Sequence, residues 1–188
     1  MEKQKPKLIL ITGGARSGKS SFAEALAQQS GEKITYIATA QALDEEMRER
    51  IAEHRKRRPK NWHTVEETVN VDRVIEEFGP QTEVIIVDCI TLLVSNLISD
   101  FKEEYSKDFF ASKVQEKIEH IIGASLKYQA TIIIVSNEVG SGLVPANLAG
   151  RFFRDLLGKV NQSIARNADQ VYLIVSGIPL LIKGNKNE

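Results

Sequence analysis

Leu8-Ile9-Leu10-Ile11-Thr12-Gly13-Gly14-Ala15-Arg16-Ser17-Gly18-Lys19-Ser20 is the stretch on which the fold turns. Leu8–Thr12 is a short, nearly continuous apolar run, the pattern of a strand covered on both faces. Gly13 to Ser20 fits G-x-x-x-x-G-K-[ST], and Lys19–Gln29 then places Phe22, Ala25 and Leu26 on one helical face. Strand, glycine-rich turn and helix in that order predict a loop that cradles phosphates. Glycines let backbone N–H groups approach phosphate oxygens, and the helix N-terminus adds unpaired donors and the positive end of its dipole. Lys19 brings a mobile charge for the β- and γ-phosphates, and the Ser20 hydroxyl suits Mg²⁺.

Working outward, similar runs recur at Ile34–Ala38, Val84–Val87, Thr131–Ser136 and Val171–Ser176. A sixth, Leu180–Lys183, follows across Gly177-Ile178-Pro179, a link short enough for an antiparallel hairpin. Helical periodicity fills the gaps: Leu43–Arg57 repeats Leu43, Met47 and Ile51; Asp108–Tyr128 repeats Phe110, Val114, Ile118 and Ile122; Asn147–Ala168 repeats Leu148, Phe152, Leu156, Val160 and Ile164. The expectation is an α/β fold with a mostly parallel sheet, helices on both faces and a C-terminal antiparallel hairpin. At 188 residues the chain is expected to form one domain, 1–188, with an ordered core over 7–183 and a polar tail over 184–188.

Composition narrows the function. Lys+Arg and Asp+Glu each number 25, so a tail-driven nucleic-acid binder, which needs a positive excess, is disfavoured. Cys89 is the sole cysteine, which excludes an intrachain disulfide framework and points to a reducing compartment. No stretch reaches the roughly 18 apolar residues of a membrane span, and the run after the basic N-terminus is too short for a signal peptide. The cytoplasm is the expected location.

The zero net charge averages over a polarised segment. Residues 44–53 hold five acids and two basic residues, while 55–60 hold five basic residues and no acid. His54 sits at the junction, three residues after Ile51 on the same stripe. Arg55-Lys56-Arg57-Arg58 reads as a solvated helix end that complements the dipole, as a nucleic-acid patch, or as a site for nucleotide phosphates. The phosphate loop gives weight to the last. A neutral imidazole is a competent nucleophile toward phosphorus, and flanking cations would balance charge on the phosphate under attack.

Two acids end apolar strands. Asp88 follows Val84–Val87, where α/β sheets bind ligands; it suits a Mg²⁺ contact, a helix cap, or both. Glu138 follows Thr131–Asn137 in the equivalent position and suits a base, a second metal contact or a solvated loop acid. The glycines at 140 and 142 suggest a mobile loop nearby.

Five segments then carry a family resemblance: ITGGARSGKSSFAEALA (11–27), YIATAQALDEEMRERIAEHRKRRPKNWHTVEE (36–67), VDCITLLVSNL (87–97), SNEVGSGLVPANLAGRFFRDLLGKVNQSIA (136–165) and ADQVYLIVSGIPLLIK (168–183). The sequence resembles the bifunctional adenosylcobinamide kinase / adenosylcobinamide-phosphate guanylyltransferase family of cobalamin biosynthesis. The resemblance implies a RecA-like P-loop domain, assembled as a homotrimer. It implies two reactions, with GTP (or ATP for the kinase step) and Mg²⁺. A nucleoside triphosphate phosphorylates the aminopropanol hydroxyl of adenosylcobinamide. GTP then guanylylates a histidine, here His54, and the GMP passes to adenosylcobinamide phosphate. The implied nucleotide contacts are Gly13, Gly14, Ala15, Arg16, Ser17, Gly18, Lys19, Ser20, Ala38, Thr39, Ala40, Arg55, Lys56, Arg57, Arg58, Glu66 and Asp88, with Ser20 and Asp88 on the metal. The alternative is a P-loop small-molecule kinase with the kinase activity alone, in which the basic stretch only clamps triphosphate.

Overall fold

The computed structural model describes residues 8–99 and 106–184. The basic N-terminus through Lys7 and all but Gly184 of the expected tail lie outside the described residues.

In chain order the elements are β1 (Leu8–Gly13), α1 (Lys19–Ser30), β2 (Ile34–Ala38), α2 (Glu45–Arg57), β3 (His63–Glu66), α3 (Val71–Phe78), β4 (Val84–Asp88), α4 (Ile90–Ser99), α5 (Lys107–Lys127), β5 (Thr131–Val135), α6 (Leu148–Asn167), β6 (Gln170–Val175) and β7 (Ile178–Lys183). The seven strands form one sheet in the order β3-β2-β4-β5-β1-β6-β7. Every pairing is parallel except β6 with β7.

The strand period of two divides the core into two layers. Leu8, Leu10, Ile37, Ile85, Val87, Ile132 and Ile134 face one way, toward the apolar stripes of α3, α4, α5 and α6. Ile9, Ile11, Tyr36, Ile86, Ile133 and Val135 face the other, where Ala23 and Ala27 of α1 and the ring of Trp62 close over them. Because both faces are covered, β1 and β2 are buried along their whole length. Each fully buried aliphatic side chain contributes about 1.5–3 kcal/mol.

Two elements, β3 and α3, have no counterpart in the sequence reading, and a third, α4, is anticipated only through Asp88 as a cap for the segment from Cys89. β3 is an edge strand, His63-Thr64-Val65-Glu66, with no apolar run, and it pairs with β2 over Thr35–Ala38. α3 spans eight residues and buries Val71, Val74 and Ile75. α4 buries Ile90, Thr91, Leu93, Val94, Asn96 and Leu97, too much of its circumference to leave a clear amphipathic period.

Other boundaries shift for local reasons. α2 starts at Glu45 rather than Leu43, because the Asp44 carboxylate accepts from the Met47 N–H at 2.7 Å and caps the helix. Leu43 is therefore outside the helix and exposed. Asn147 caps α6 in the same way through the Gly150 N–H at 2.6 Å. The hairpin link is tighter than expected. Ser176 and Gly177, at φ 50° and 83°, form a two-residue turn of the left-handed kind that matches strand twist, so β7 begins at Ile178.

Candidate active site

The C-terminal ends of β1, β2, β4 and β5 open onto one crevice. Ala38, Asp88 and Val135 lie side by side there in the parallel register. The phosphate loop closes one side. A Cβ at Gly13 would lie 2.4 Å from the Ile174 carbonyl oxygen, so glycine alone lets the loop turn this close to β6. The Gly177 N–H donates to the Ser17 carbonyl at 2.8 Å, tying the loop to the hairpin turn. Lys19 opens α1, is buried, and donates from Nζ to the Gly14 carbonyl at 2.6 Å. Burial lowers its pKa, opposed in part by nearby Asp88.

Over this loop lies α2. It has no buried residue, yet its last turn carries the basic cluster back onto α1: Arg57 donates to the Ser21 hydroxyl and faces Glu24 at 3.5 Å. Two adjoining cavities lie beneath α2. The larger, about 580 Å³, is walled by Arg16 to Ser20 of the phosphate loop, by Ser21, and on the α2 side by Arg50, His54 and Arg57 together with Glu46, Glu49 and Glu53. The smaller, about 250 Å³, is walled by apolar groups (Ala38, Ala40, Met47, Ile51, Leu92) and by charged ones (Arg55, Arg58, Glu66). Ser20, Arg50, His54, Asp88 and Cys89 belong to both walls.

His54 thus stands where the two cavities meet. Its Nδ1 lies 3.9 Å from Asp88 Oδ2, beyond a hydrogen bond but within ion-pair range. The same Oδ2 accepts from the Tyr36 hydroxyl. Burial, then the Asp88 charge, pushes the Tyr36 phenol well above its usual range. The Arg58 guanidinium lies 3.7 Å over the Tyr36 ring. Burial also raises Glu24, with Arg57 and His54 pulling the other way. The Cys89 thiol is pushed up to about 12 by burial, so it stays protonated and unreactive at neutral pH.

The residues expected at the site separate into groups. Arg16, Ser17, Gly18, Lys19 and Ser20 line the larger cavity, and Gly13, Gly14 and Ala15 complete the loop behind them. Ala38, Ala40, Arg55, Arg58, Glu66 and Asp88 line the smaller one, and Arg55 is paired with Glu66. Thr39 is fully buried and staples β2 to the start of α4: its hydroxyl donates to the Cys89 carbonyl at 2.7 Å and accepts from the Cys89 N–H at 2.8 Å. Lys56 is exposed and lines neither cavity, because it points away on the helix. Glu138 lines neither cavity; its carboxylate accepts from the Gly140 N–H at 3.0 Å, while neighbouring Asn137 does reach the larger cavity.

Sequence reasoning passed over Tyr36, Glu24, Arg50 and Met47. Tyr36 and Met47 read as core and stripe positions. Glu24 and Arg50 read as ordinary helix-surface charges. Glu24 lies four residues after Ser20, on the same face of α1, and that spacing is the signal that could have found it.

The fold and the loop define a RecA-like P-loop nucleotide-binding protein. The RadB recombinase crystal structure has the same fold: TM-score 0.50 at 15% identity, covering 90% of this chain and 74% of that one. The family model for cobinamide kinase / cobinamide phosphate guanyltransferase matches residues 9–182, and the chain belongs to that family of enzymes. The bifunctional adenosylcobalamin biosynthesis protein CobU of Escherichia coli is 42% identical over 181 residues, spanning 94% of this chain and 99% of the relative. Its counterpart CobP of Pseudomonas aeruginosa is 39% identical over 175 residues, spanning 93% and 96%.

Proposed function

We propose that this chain carries out both reactions on one site, with His54 as the covalent carrier of GMP. The observation that carries the reading is that His54 walls the phosphate-loop cavity and the adjoining smaller cavity at once. In the kinase step the aminopropanol hydroxyl of adenosylcobinamide attacks the γ-phosphorus of a nucleoside triphosphate, the bond to the β-phosphate oxygen breaks, the diphosphate leaves and the hydroxyl proton passes to solvent. Lys19 and the loop N–H groups hold the phosphates and take up developing charge.

In the second reaction an imidazole nitrogen of His54 attacks the α-phosphorus of GTP. The bond to the β-phosphate oxygen breaks, pyrophosphate leaves, and a phosphoramidate forms. A phosphate oxygen of adenosylcobinamide phosphate then attacks that phosphorus, the N–P bond breaks, and adenosylcobinamide-GDP leaves with His54 restored. Splitting one transfer into two displacements lets a single nucleotide site serve both halves. Arg57 and Arg58 balance the leaving pyrophosphate, and the smaller cavity, with Ala38, Ala40, Glu66 and Arg55, suits the nucleoside.

Ser20 and Asp88 suit Mg²⁺, since a hydroxyl and one carboxylate are hard oxygen donors facing a phosphate site. Among the described residues no three His, Cys, Asp or Glu side chains gather as a cage. The ion would supply Lewis-acid stabilisation of phosphate charge.

The deciding experiment uses GTP labelled at the α-phosphorus with Mg²⁺. Acid-labile, base-stable label on the protein is expected, and its loss in His54→Ala. Transfer of γ-label to adenosylcobinamide without any α-label on protein would leave a kinase alone. The working form is proposed to be a cytoplasmic homotrimer with no nucleic-acid partner. The alternate apolar residues Ile178, Leu180 and Ile182 of β7, exposed in the single chain, support assembly. Light scattering should return three times the 21.0 kDa chain mass. Among the described residues no helix is long and apolar enough to cross a membrane.

A further inference from the structure

Tyr36 is the largest fully buried side chain among the described residues. It lies in the layer beneath α1, stacked on Trp62 with ring centroids 6.3 Å apart. A phenylalanine would fill that space without burying a hydroxyl, which is costly unless it finds a partner. The partner it finds is the carboxylate of Asp88.

The same Asp88 oxygen faces His54 Nδ1 at 3.9 Å, which leaves Oδ1 available to a metal. The other asset of Tyr36 is its ring face, on which the Arg58 guanidinium lies at 3.7 Å. Arg58 Nε is buried and has no hydrogen-bond partner among the described residues. A buried charged donor without an acceptor is expensive, so its occurrence beside a cavity points to an acceptor supplied by the ligand. Asp88, Arg58 and His54 all line the smaller cavity.

We propose that Tyr36 is a positioning residue for guanylyl transfer. Its hydroxyl holds the Asp88 carboxylate toward the His54 imidazole, and its ring holds Arg58 with Nε free for a phosphate oxygen of the nucleotide. This rests on the reading of His54 as the GMP carrier. The negative carboxylate at 3.9 Å favours, by its charge, the tautomer with hydrogen on Nδ1, which leaves the Nε2 lone pair for the α-phosphorus. It also offsets the positive charge that the ring acquires as the N–P bond forms. Arg58 acts on the other partner, the triphosphate whose pyrophosphate leaves. One buried phenol thus aligns the groups that serve nucleophile and electrophile.

The two functions of Tyr36 separate by substitution. Tyr36→Phe keeps the ring and loses the hydroxyl; Tyr36→Leu loses both. The rate of His54 labelling by α-labelled GTP is measured over a range of GTP concentrations, beside thermal melting of each variant. In Tyr36→Phe the maximal labelling rate should fall by about tenfold, the lower end of what removing an orienting partner costs. KM for GTP should stay within about twofold, because ground-state contacts are kept. In Tyr36→Leu the KM should rise by about tenfold as well, through loss of the Arg58 platform. Wild-type kinetics in Tyr36→Phe would overturn the assignment, as would a fall in labelling no larger than its loss of folded protein. A wild-type protein that takes up no α-label would overturn the GMP-carrier reading itself, and this assignment with it.

Discussion

α1 and α2 bracket the same crevice but are held in place by different forces. α1 is seated on the sheet by Ala23 and Ala27, both fully buried, and its first residue is the buried Lys19. α2 buries nothing and is tied down by Arg57 to Ser21 and Glu24 and by Arg55 to Glu66. One helix is positioned by packing, which is stiff and insensitive to salt. The other is positioned by polar contacts at the surface, which are weak singly and screened. The phosphate-loop half of the crevice is therefore built into the core, and the half that carries His54 rests on it. That division suits the proposed reaction, in which the phosphate loop holds the triphosphate while His54 reaches its α-phosphorus.

The sharpest way to break this comparison is to remove one chemical group from each helix. Lys19→Ala should abolish label transfer from both the α- and the γ-phosphate, a loss of two orders of magnitude or more in a phosphate-transfer assay, roughly what loss of a charge-stabilising group costs. His54→Ala should abolish the α-label on protein and leave γ-phosphoryl transfer to adenosylcobinamide standing. Equal loss of both reactions in His54→Ala would erase the division.

Packing provides the next test. Ala27→Leu forces extra volume between α1 and the sheet and should destabilise the protein by about 1–3 kcal/mol in urea unfolding. Arg48→Ala on α2 breaks a pair with Glu45 whose side chains are 60% and 72% exposed. It should stay within about 0.5 kcal/mol in the same experiment.

Salt should act on the α2 half. Raising ionic strength at saturating GTP should slow His54 labelling by about threefold, as expected for exposed ion pairs worth under about 1 kcal/mol. A faster reaction at high salt would contradict the picture of α2 as a helix docked by charge.

The smallest effect concerns Glu24. Burial raises its pKa, so the folded protein binds the proton more tightly than the unfolded chain does. Ionised Glu24 is then a cost at neutral pH, relieved as pH falls through the raised value and gone below the usual carboxylate range. Glu24→Gln should melt a little higher than wild type at pH 7, with the gap closing as pH falls. A lower melting temperature at pH 7 would mean that the Arg57 pair outweighs burial.

Much of the fold was legible because strands buried on both faces write themselves as apolar runs. β1, β2, β4, β5 and β6 were placed within a residue at either end. β3 was not, since an exposed edge strand such as His63-Thr64-Val65-Glu66 needs its neighbour's backbone more than its own side chains. α4 was hidden for the opposite reason: it is apolar nearly all round and so lacks a period. Leu148, placed on the stripe of α6, is exposed, because the stripe reaches the core only further along the helix.

The candidate site divides in the same way. The phosphate loop needs residue types at fixed spacing within one strand–turn–helix unit, and local chemistry dictates those. His54 with its basic flank was visible as a charge pattern, but its place beside Asp88 was not.

The sequence by itself determined the parallel α/β framework and the phosphate loop. These follow from local periodicity and from backbone needs that glycine meets. Tertiary structure alone decided that α2 lies across the loop, that His54 joins two cavities, and that Tyr36 holds both Asp88 and Arg58. Those contacts link residues 22 to 52 positions apart, at distances set by sheet order and helix docking. No short-range pattern encodes them, because they exist only once the strands have paired.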